Sequence, residues 1–163
     1  MSQDQDIIMK SQENQQNFKF MRAALSEAKK AYAKDEVPVG AVVVCQGNII
    51  ARAHNLRESK QHFHAHAEFL AMMKAAKKIG SWRLEDCDVY VTMEPCPMCA
   101  GAMIQSRIRH VYYGAKDPKS GVVDSMMQIF QNPFNHKVEV TSELMAKESE
   151  ILLKSFFKKL RDK

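Results

Sequence analysis

Two short stretches, thirty residues apart, carry the residue types of a reactive metal site. The first contains His66 and Glu68, and the second contains Cys96 and Cys99. One imidazole and two thiolates give zinc three protein ligands, one fewer than the tetrahedron it prefers, so a fourth position stays open to water. Zinc lowers the pKa of such a water, and a carboxylate beside it can take its proton and pass it to a leaving group. The pattern therefore predicts hydrolytic chemistry, with Glu68 as the proton carrier.

The neighbouring sequence indicates how these side chains meet. Pro97 favours a helix that starts directly after Cys96, and three-residue spacing then places the sulfurs of Cys96 and Cys99 on one side of its first turn. The unpaired N–H groups of that turn favour thiolates. His66 lies near the start of another stretch with helical periodicity, so two helix starts are expected to face one ion. Glu68 points about 200° away from His66 around a helix and cannot repeat its direction.

The two motifs together resemble the H-x-E and P-C-x-x-C signature of the zinc-dependent nucleobase deaminases. Flanking blocks narrow the resemblance to the bacterial tRNA-specific adenosine deaminases of the cytidine/deoxycytidylate deaminase superfamily, over about residues 18 to 161. These blocks are residues 37–41, 94–96, 98–104, 106–108, 114–115, 117 and 135–136. The resemblance implies deamination of adenosine to inosine at the wobble position of tRNA, with release of ammonia and with one Zn²⁺ per subunit.

The same resemblance implies a set of substrate contacts around the target base and the tRNA anticodon stem-loop. They are Val37, Asn55, Glu94, Asp117, Lys119, Phe157 and Arg161. Each has a plainer reading as well. An asparagine before a polar loop is usually a turn residue, and the charged loop residues are often only solvated. Phe157 could pack inward from an amphipathic terminal helix.

The segment just before His66 departs from the family pattern. The family has Asp-Pro-Thr there, whereas this chain has His62, Phe63 and His64. The change leaves the zinc motif intact and concerns the rim of the pocket. For His64 three roles stay open: contact with nucleic acid, pairing with the backbone, or service as a second metal ligand.

Two other functions are compatible with the same residues. A deaminase of free guanine, cytosine or a nucleoside would keep the metal motif but would have no use for a basic, aromatic tail. A non-catalytic zinc-stabilised RNA-binding module would need a fourth protein ligand, which His64 or Cys87 could supply. The H-x-E spacing favours an enzyme over such a closed site. A redox pair of cysteines would leave His66 and Glu68 unexplained.

Length and composition limit the class of protein. A chain of 163 residues suits one domain with its own core, and four cysteines, two of them in the metal motif, do not make a secreted disulfide framework. We find neither a membrane-spanning run nor a signal-peptide core, so we expect a cytoplasmic protein with no membrane association. The net charge of +5, with five basic residues from 154 to 163, permits an anionic partner such as RNA.

Hydrophobic periodicity predicts the fold class. We expect residues 1–16 to form a mobile amino-terminal extension, and residues 17–163 to form a single deaminase domain. From residue 18 the elements follow the order α-β-β-α-β-α-β, with a loop over residues 54–64 before the second helix. Behind them we expect a short helix near residues 125–131, a strand over residues 137–140 and a long helix over residues 143–161. This order predicts a three-layer α/β/α sandwich with a central mixed five-stranded sheet, as in the cytidine deaminase-like fold. The resemblance implies a homodimer through the small residues 100–102, although packing within one chain explains them equally well.

Overall fold

A five-stranded sheet between two helical layers forms the framework of the protein. The computed structural model describes residues 2–163. In chain order the elements are α1 (Gln3–Ala33), β1 (Gly40–Cys45), β2 (Asn48–His54), α2 (Arg57–Lys60), α3 (Ala67–Ile79), β3 (Cys87–Met93), α4 (Pro97–Gln105), β4 (His110–Ala115), a 3₁₀ turn (Ile129–Gln131), β5 (Glu139–Thr141) and α5 (Ala146–Arg161). The predicted three-layer α/β/α sandwich with a mixed five-stranded sheet is confirmed.

The sheet has the strand order β2-β1-β3-β4-β5. β1 pairs antiparallel with β2 and with β3, whereas β4 runs parallel to β3 and to β5. The β1–β2 hairpin turns at Gln46 and Gly47, which both have positive φ, as a two-residue turn between twisted strands requires. Because β3 and β4 are parallel and adjacent, their carboxyl ends meet at one edge of the sheet, where α/β proteins place ligands.

Each face of the sheet is covered by its own helices. Within β1, Val42 and Val44 pack against α1, while Val43 packs in the core shared with α3 and α4. This division follows from the two-residue period of a strand, which sends successive side chains to opposite faces. Among residues 2–163, no helix combines the length and the apolar character that crossing a bilayer requires.

The first helix is much longer than its sequence predicted. It starts at Gln3 with a capping box between Ser2 and Gln5, so the predicted start near residue 18 was wrong. Segment 3–33 contains neither Gly nor Pro and is rich in Gln, Glu, Lys and Ala, which favour helix. Its polar composition reflects exposure, because residues 2–16 are solvated on all sides. Met1 lies outside the described residues, and the mobility of this extension stays a prediction.

The other boundaries differ from expectation mainly at the carboxyl end. A 3₁₀ turn replaces the short helix expected over residues 125–131, and α5 starts at Ala146 rather than at residue 143. Glu143 and Met145 have φ values of 58° and 54°, so the left-handed backbone before α5 delays the helix. The predicted loop over residues 54–64 contains the single-turn helix α2.

Candidate metal centre and substrate pocket

Two helix starts face each other at the carboxyl edge of the sheet. His66 is the N-cap residue of α3, and Cys96 is the N-cap residue of α4, with Pro97 as the first helical residue. β3 ends at Met93, three residues before Cys96, so the sheet fixes the position of the second helix start. This is the arrangement that the spacing of the two motifs predicted.

The three predicted ligands lie at distances that fit zinc. The Nδ1 atom of His66 is 3.5 Å from the sulfur of Cys96 and 3.5 Å from the sulfur of Cys99. All three ligand atoms lie within 4.8 Å of one another. Zinc bonds of about 2.3 Å to sulfur and about 2.0 to 2.1 Å to nitrogen, set at tetrahedral angles, separate N and S by about 3.5 Å. The donor set and its spacing therefore suit a metal ion bound through these three atoms.

Neither candidate for a fourth protein ligand joins this cluster. Within residues 2–163, the group of His, Cys, Asp or Glu side chains that could hold a metal consists of His66, Cys96 and Cys99. His64 stacks instead on His62, with ring centroids 5.1 Å apart and planes at 16°. Cys87 begins β3, at the end remote from the site, and is paired in register with Cys45 of β1. A metal ion held by these three residues would keep one coordination position free of protein ligands.

The ligand side chains shift one another's pKa values. The hydrogen bond from the Cys99 thiol, helped by the His66 imidazole, lowers the pKa of Cys96 to about 4 although burial opposes it. The hydrogen bond with Cys96 raises the pKa of His66, again against burial. Each of these two shifts favours the charged form of its group, and a metal ion binds such ligands with release of protons.

Glu68 lies beside the ligands and is almost fully buried. Only 4% of the residue is exposed, and it lines the same cavity as His66 and Cys96. Burial raises the pKa of Glu68 to about 7, against the opposing effect of the His66 imidazole. In the part of the chain that the structure describes, its carboxylate accepts no backbone N–H from another residue. Its side-chain hydrogen-bond partner is the Cys99 thiol, and no loop depends on the carboxylate, so a proton can be exchanged there without releasing a loop.

A cavity of about 520 Å³ opens beside these groups, a size typical of small-molecule sites. Its wall contains six of the seven predicted substrate residues together with several that sequence reasoning missed. The six are Val37, Asn55, Glu94, Asp117, Lys119 and Phe157, and the missed residues include Val39, Arg57, Met93, Pro118 and Ser120. Arg161 lies instead in an adjoining groove, whose wall shares Lys119 and Phe157 with the cavity.

Asn55 is held in place and still has hydrogen-bonding capacity. Its Nδ2 donates to the Val37 carbonyl over 3.2 Å, and its Oδ1 accepts from the Arg57 N–H over 3.1 Å. An asparagine amide offers two N–H donors and two acceptor lone pairs. One of each therefore remains, which is what the polar edge of a base needs.

The carboxylate of Glu94, by contrast, is fully engaged by the protein. It accepts hydrogen bonds of 2.9 to 3.1 Å from the backbone N–H groups of residues 117, 123, 124 and 125, and one of 2.5 Å from the Ser125 hydroxyl. Burial alone would raise the pKa of Glu94, but these donors outweigh it and hold the pKa below its ordinary value. Any contact of Glu94 with substrate falls to its backbone, because its side chain holds the loop that carries Asp117 and Lys119.

Glu36, another buried glutamate, holds a different part of the cavity wall in place. The carboxylate of Glu36 accepts the backbone N–H groups of Glu58 and Ser59 over 3.0 and 2.7 Å, and the Ser59 hydroxyl over 2.6 Å. This contact holds the turn that carries Arg57 at the cavity. Glu36 gives no sequence signal, since its partners lie more than twenty residues away.

Comparisons with known proteins agree with this geometry. The family model of the MafB19-like deaminases matches residues 15–161. A tRNA-specific adenosine deaminase of Bacillus subtilis (strain 168) is 52% identical over 145 residues, 88% of this chain and 90% of the relative. A solved tRNA:A34 deaminase, from work on A-to-I editing at the wobble position, aligns with a TM-score of 0.80 and 45% identity over 82% of this chain and 98% of its own. A guanine deaminase from Nitrosomonas europaea aligns with a TM-score of 0.70 and 26% identity over 84% of this chain and 82% of its own.

Proposed function

The chain belongs to the tRNA-specific adenosine deaminases, and on this premise we propose that it converts adenosine to inosine at the wobble position of tRNA. The observation that carries the proposal is that a cluster of three possible metal ligands and the buried carboxyl group of Glu68 lie together beside one cavity. A fourth protein ligand would have indicated a purely structural metal. The non-catalytic RNA-binding module is therefore disfavoured.

We propose zinc as the cofactor, one ion per subunit, held by Nδ1 of His66 and the sulfurs of Cys96 and Cys99. Two thiolates and an imidazole favour zinc over magnesium or calcium, which prefer oxygen ligands. When bound, zinc supplies a Lewis acid that lowers the pKa of water towards neutrality.

Glu68 supplies the proton transfers. In the overall reaction, the oxygen of water forms a bond to C6 of adenine, the bond from C6 to its exocyclic nitrogen breaks, and ammonia leaves. Water brings two protons, of which one ends on N1 of the ring and the other on the leaving nitrogen. Glu68 relays them, so the carboxyl group is restored after each turnover. Asn55 orients the base through its remaining donor and acceptor, while Val37 supports it from the cavity wall.

The surface next to the cavity suits the anticodon stem-loop. Lys119, Lys154 and Arg161 line one groove with Phe157, which is 41% exposed. Cations can meet phosphates there, and the phenylalanine ring offers a face to an unstacked base. Phe156, the neighbouring ring, is buried and serves the core instead.

We propose a homodimer as well. A shallow groove beside α3 and α4 is lined by Phe69, Trp82 and Ala102, and Trp82 is 57% exposed. A methyl group added to Gly101 would meet nothing within 4 Å, so packing within the chain does not require its small size. Trp82→Asp should shift the mass in solution towards the monomer, whereas Ile151→Asp, on exposed α5, should not. Identical masses for both variants would contradict this interface.

The remaining proposals concern chain organisation and location. The family match begins at residue 15, which supports a single deaminase domain over residues 17–163 preceded by an extension. A cytoplasmic location follows from the proposed tRNA substrate.

In the decisive experiment, the purified protein is incubated with anticodon stem-loops that carry adenosine or cytidine at the wobble site. We expect inosine from the first and no uridine from the second, with activity lost on chelation and restored by zinc. Uridine, or no inosine with zinc-loaded protein, would contradict the proposal.

The alternative hypothesis is a deaminase of free bases, and the guanine deaminase of similar fold indicates guanine as the substrate to test. Truncating α5 would strip buried Leu153 and Phe156 from the core, so point variants are preferable. Phe157→Ala and Arg161→Ala should impair deamination of the stem-loop, with Lys147→Ala at the start of α5 as the control. Release of xanthine from guanine, unaffected by these changes, would favour the alternative hypothesis.

A further inference from the structure

The loop before the metal ligand carries three aromatic rings that the proposed chemistry does not use. We call residues 56–65 the rim loop. Within it, His62 and His64 stack nearly in parallel, and the Phe63 ring meets His64 edge-on with centroids 5.6 Å apart. Phe63 is 81% exposed, more than any other large apolar side chain that the structure describes. An exposed patch of three neighbouring aromatic rings indicates a binding surface.

The rim loop is held firmly by the protein. Its ends are joined by a hydrogen bond of 3.0 Å from the Leu56 N–H to the Ala65 carbonyl. A second, of 3.1 Å, closes the turn from the Ala65 N–H to the His62 carbonyl. The Glu36 carboxylate holds the other side of the loop through Glu58 and Ser59. Phe63 is therefore presented at a fixed place, which reduces the entropic cost of binding.

The rim loop adjoins the cavity at both ends. Asn55 and Arg57, which lie at its start, line the cavity, and His66, the metal ligand, directly follows its last residue. The exposed positions of the loop include Arg57 and Lys60 as well as the rings of His62 and Phe63, whereas His64 is half-buried. Cations beside exposed aromatic faces are typical of surfaces that bind unpaired nucleotides, because cations meet phosphates while the rings stack on bases.

We propose that His62 and Phe63 form a base-stacking surface that holds an unpaired nucleotide next to the target adenosine. The proposal rests on the proposed function, since it assumes that a loop of RNA occupies the cavity. The parallel His62 and His64 rings provide a platform, and Phe63 provides a second face. A nucleotide held there fixes the register of the RNA, so that the neighbouring adenosine enters the cavity.

A protein partner is the competing occupant, because His64 also approaches Phe69, whose side chain lines the groove assigned to the dimer. Two observations favour RNA. The rim loop presents imidazoles and cations rather than a continuous apolar face, and its hydrogen bonds attach it to the cavity side through Asn55 and Glu36.

The test measures RNA binding by Phe63 variants in a Glu68→Gln background, in which substrate is bound but not consumed. Phe63→Ala should weaken binding of a wobble-adenosine stem-loop by about 5- to 100-fold, the usual range for one lost base stack. Phe63→Tyr, which keeps a π face, should bind within about 2-fold of the parent, and Phe63→Leu should behave like Phe63→Ala. Phe18→Ala, an exposed phenylalanine of α1, is the matched control. Because Phe63 is exposed, its variants should fold normally.

A second arm identifies the stacked nucleotide. Each loop nucleotide is replaced in turn by an abasic residue. Where the missing base is the one that stacks on Phe63, the Phe63→Ala variant should bind the RNA as well as the parent does, because no stack remains to be lost. Parent-like binding by Phe63→Ala to the intact stem-loop overturns the proposal. The proposal is also overturned if Phe63→Ala binds every abasic stem-loop more weakly than the parent by the same factor and dissociates into monomers. That result would assign the surface to a protein partner. Failure of the wild type to form inosine contradicts the proposed function, whereas the binding arm decides the stacking surface separately.

Discussion

Two glutamates at one edge of the sheet are almost equally buried and behave in opposite ways. Glu68 is 4% exposed and Glu94 is 3% exposed. Burial raises the pKa of Glu68 to about 7, whereas donors around Glu94 overcome the same effect and lower its pKa. The difference lies in the neighbours, because Glu94 accepts four backbone N–H groups and a hydroxyl group while Glu68 faces a cavity. Burial by itself therefore does not distinguish a reacting carboxyl group from a structural one.

The contrast also separates two requirements of the site. A group that moves protons must change its charge easily, so a fixed shell of donors would hinder it. A group that shapes a loop must keep its charge, because the loop N–H groups have no other acceptor. Replacing Glu68 should therefore lower activity, whereas replacing Glu94 should lower stability.

The largest expected effect is on catalysis at Glu68. Glu68→Gln should lower the rate of inosine formation by about 10²- to 10⁴-fold, because an amide cannot carry the proton. Zinc content and the free energy of unfolding should stay near those of the wild type, since no backbone N–H group of another residue depends on the side chain. Single-turnover assays, metal analysis and urea unfolding measure the three quantities. A rate close to that of the wild type would disprove the proton-carrier role.

Glu94→Gln should give the converse result. The amide NH₂ group would face backbone donors, so we expect the free energy of unfolding to fall by about 2 to 4 kcal/mol. Residual activity should exceed that of Glu68→Gln once the protein is kept folded. Urea unfolding measures the loss, and Glu150→Gln, on an exposed part of α5, is the control. Equal free energies of unfolding for Glu94→Gln and Glu68→Gln would contradict the distinction between these two glutamates.

Gly121→Ala tests how closely the loop packs on Glu94. A Cβ atom at this position would lie 2.3 Å from the carboxyl carbon of Glu94 and 2.6 Å from the Asp117 carbonyl oxygen. One of them must move, and we expect a loss of about 1 to 3 kcal/mol in unfolding free energy. The neighbouring Ser120→Ala change should cost less than about 0.5 kcal/mol. Similar values for the two variants would show that the loop yields freely.

The smallest effect concerns pH. Because the folded protein lowers the pKa of Glu94 from 4.5, its carboxylate contributes stability that is fully present above that value and is lost as pH falls through the folded pKa. The difference in unfolding free energy between wild type and Glu94→Gln should therefore be largest near about pH 7 and shrink towards about pH 3. Glu27 and Glu36, whose pKa values are also lowered, are present in both proteins and cancel. A difference that grows on acidification would have the wrong sign.

The cluster of His66, Cys96 and Cys99 was predictable because each of its two motifs is short and marks a helix start. His66, Cys96 and Cys99 lie at helix starts marked by proline and by apolar periodicity, and their spacing determines which side chains converge. The shell around the site was not predictable in the same way. Arg57, Glu36 and Gly121 owe their places to partners far along the chain, and no local pattern shows that the carboxylate of Glu94 is engaged by the loop after β4.

The sequence by itself predicted the meeting of His66, Cys96 and Cys99 and the three-layer sandwich, because each depends on residue type at short or periodic spacing. Only the tertiary structure decided that His64 stacks rather than binds metal, that Glu94 supports a loop, and that α1 extends to Gln3. The physical reason is that hydrogen bonds and ring contacts between distant segments depend on how the layers pack. Such contacts leave no periodic trace in the chain.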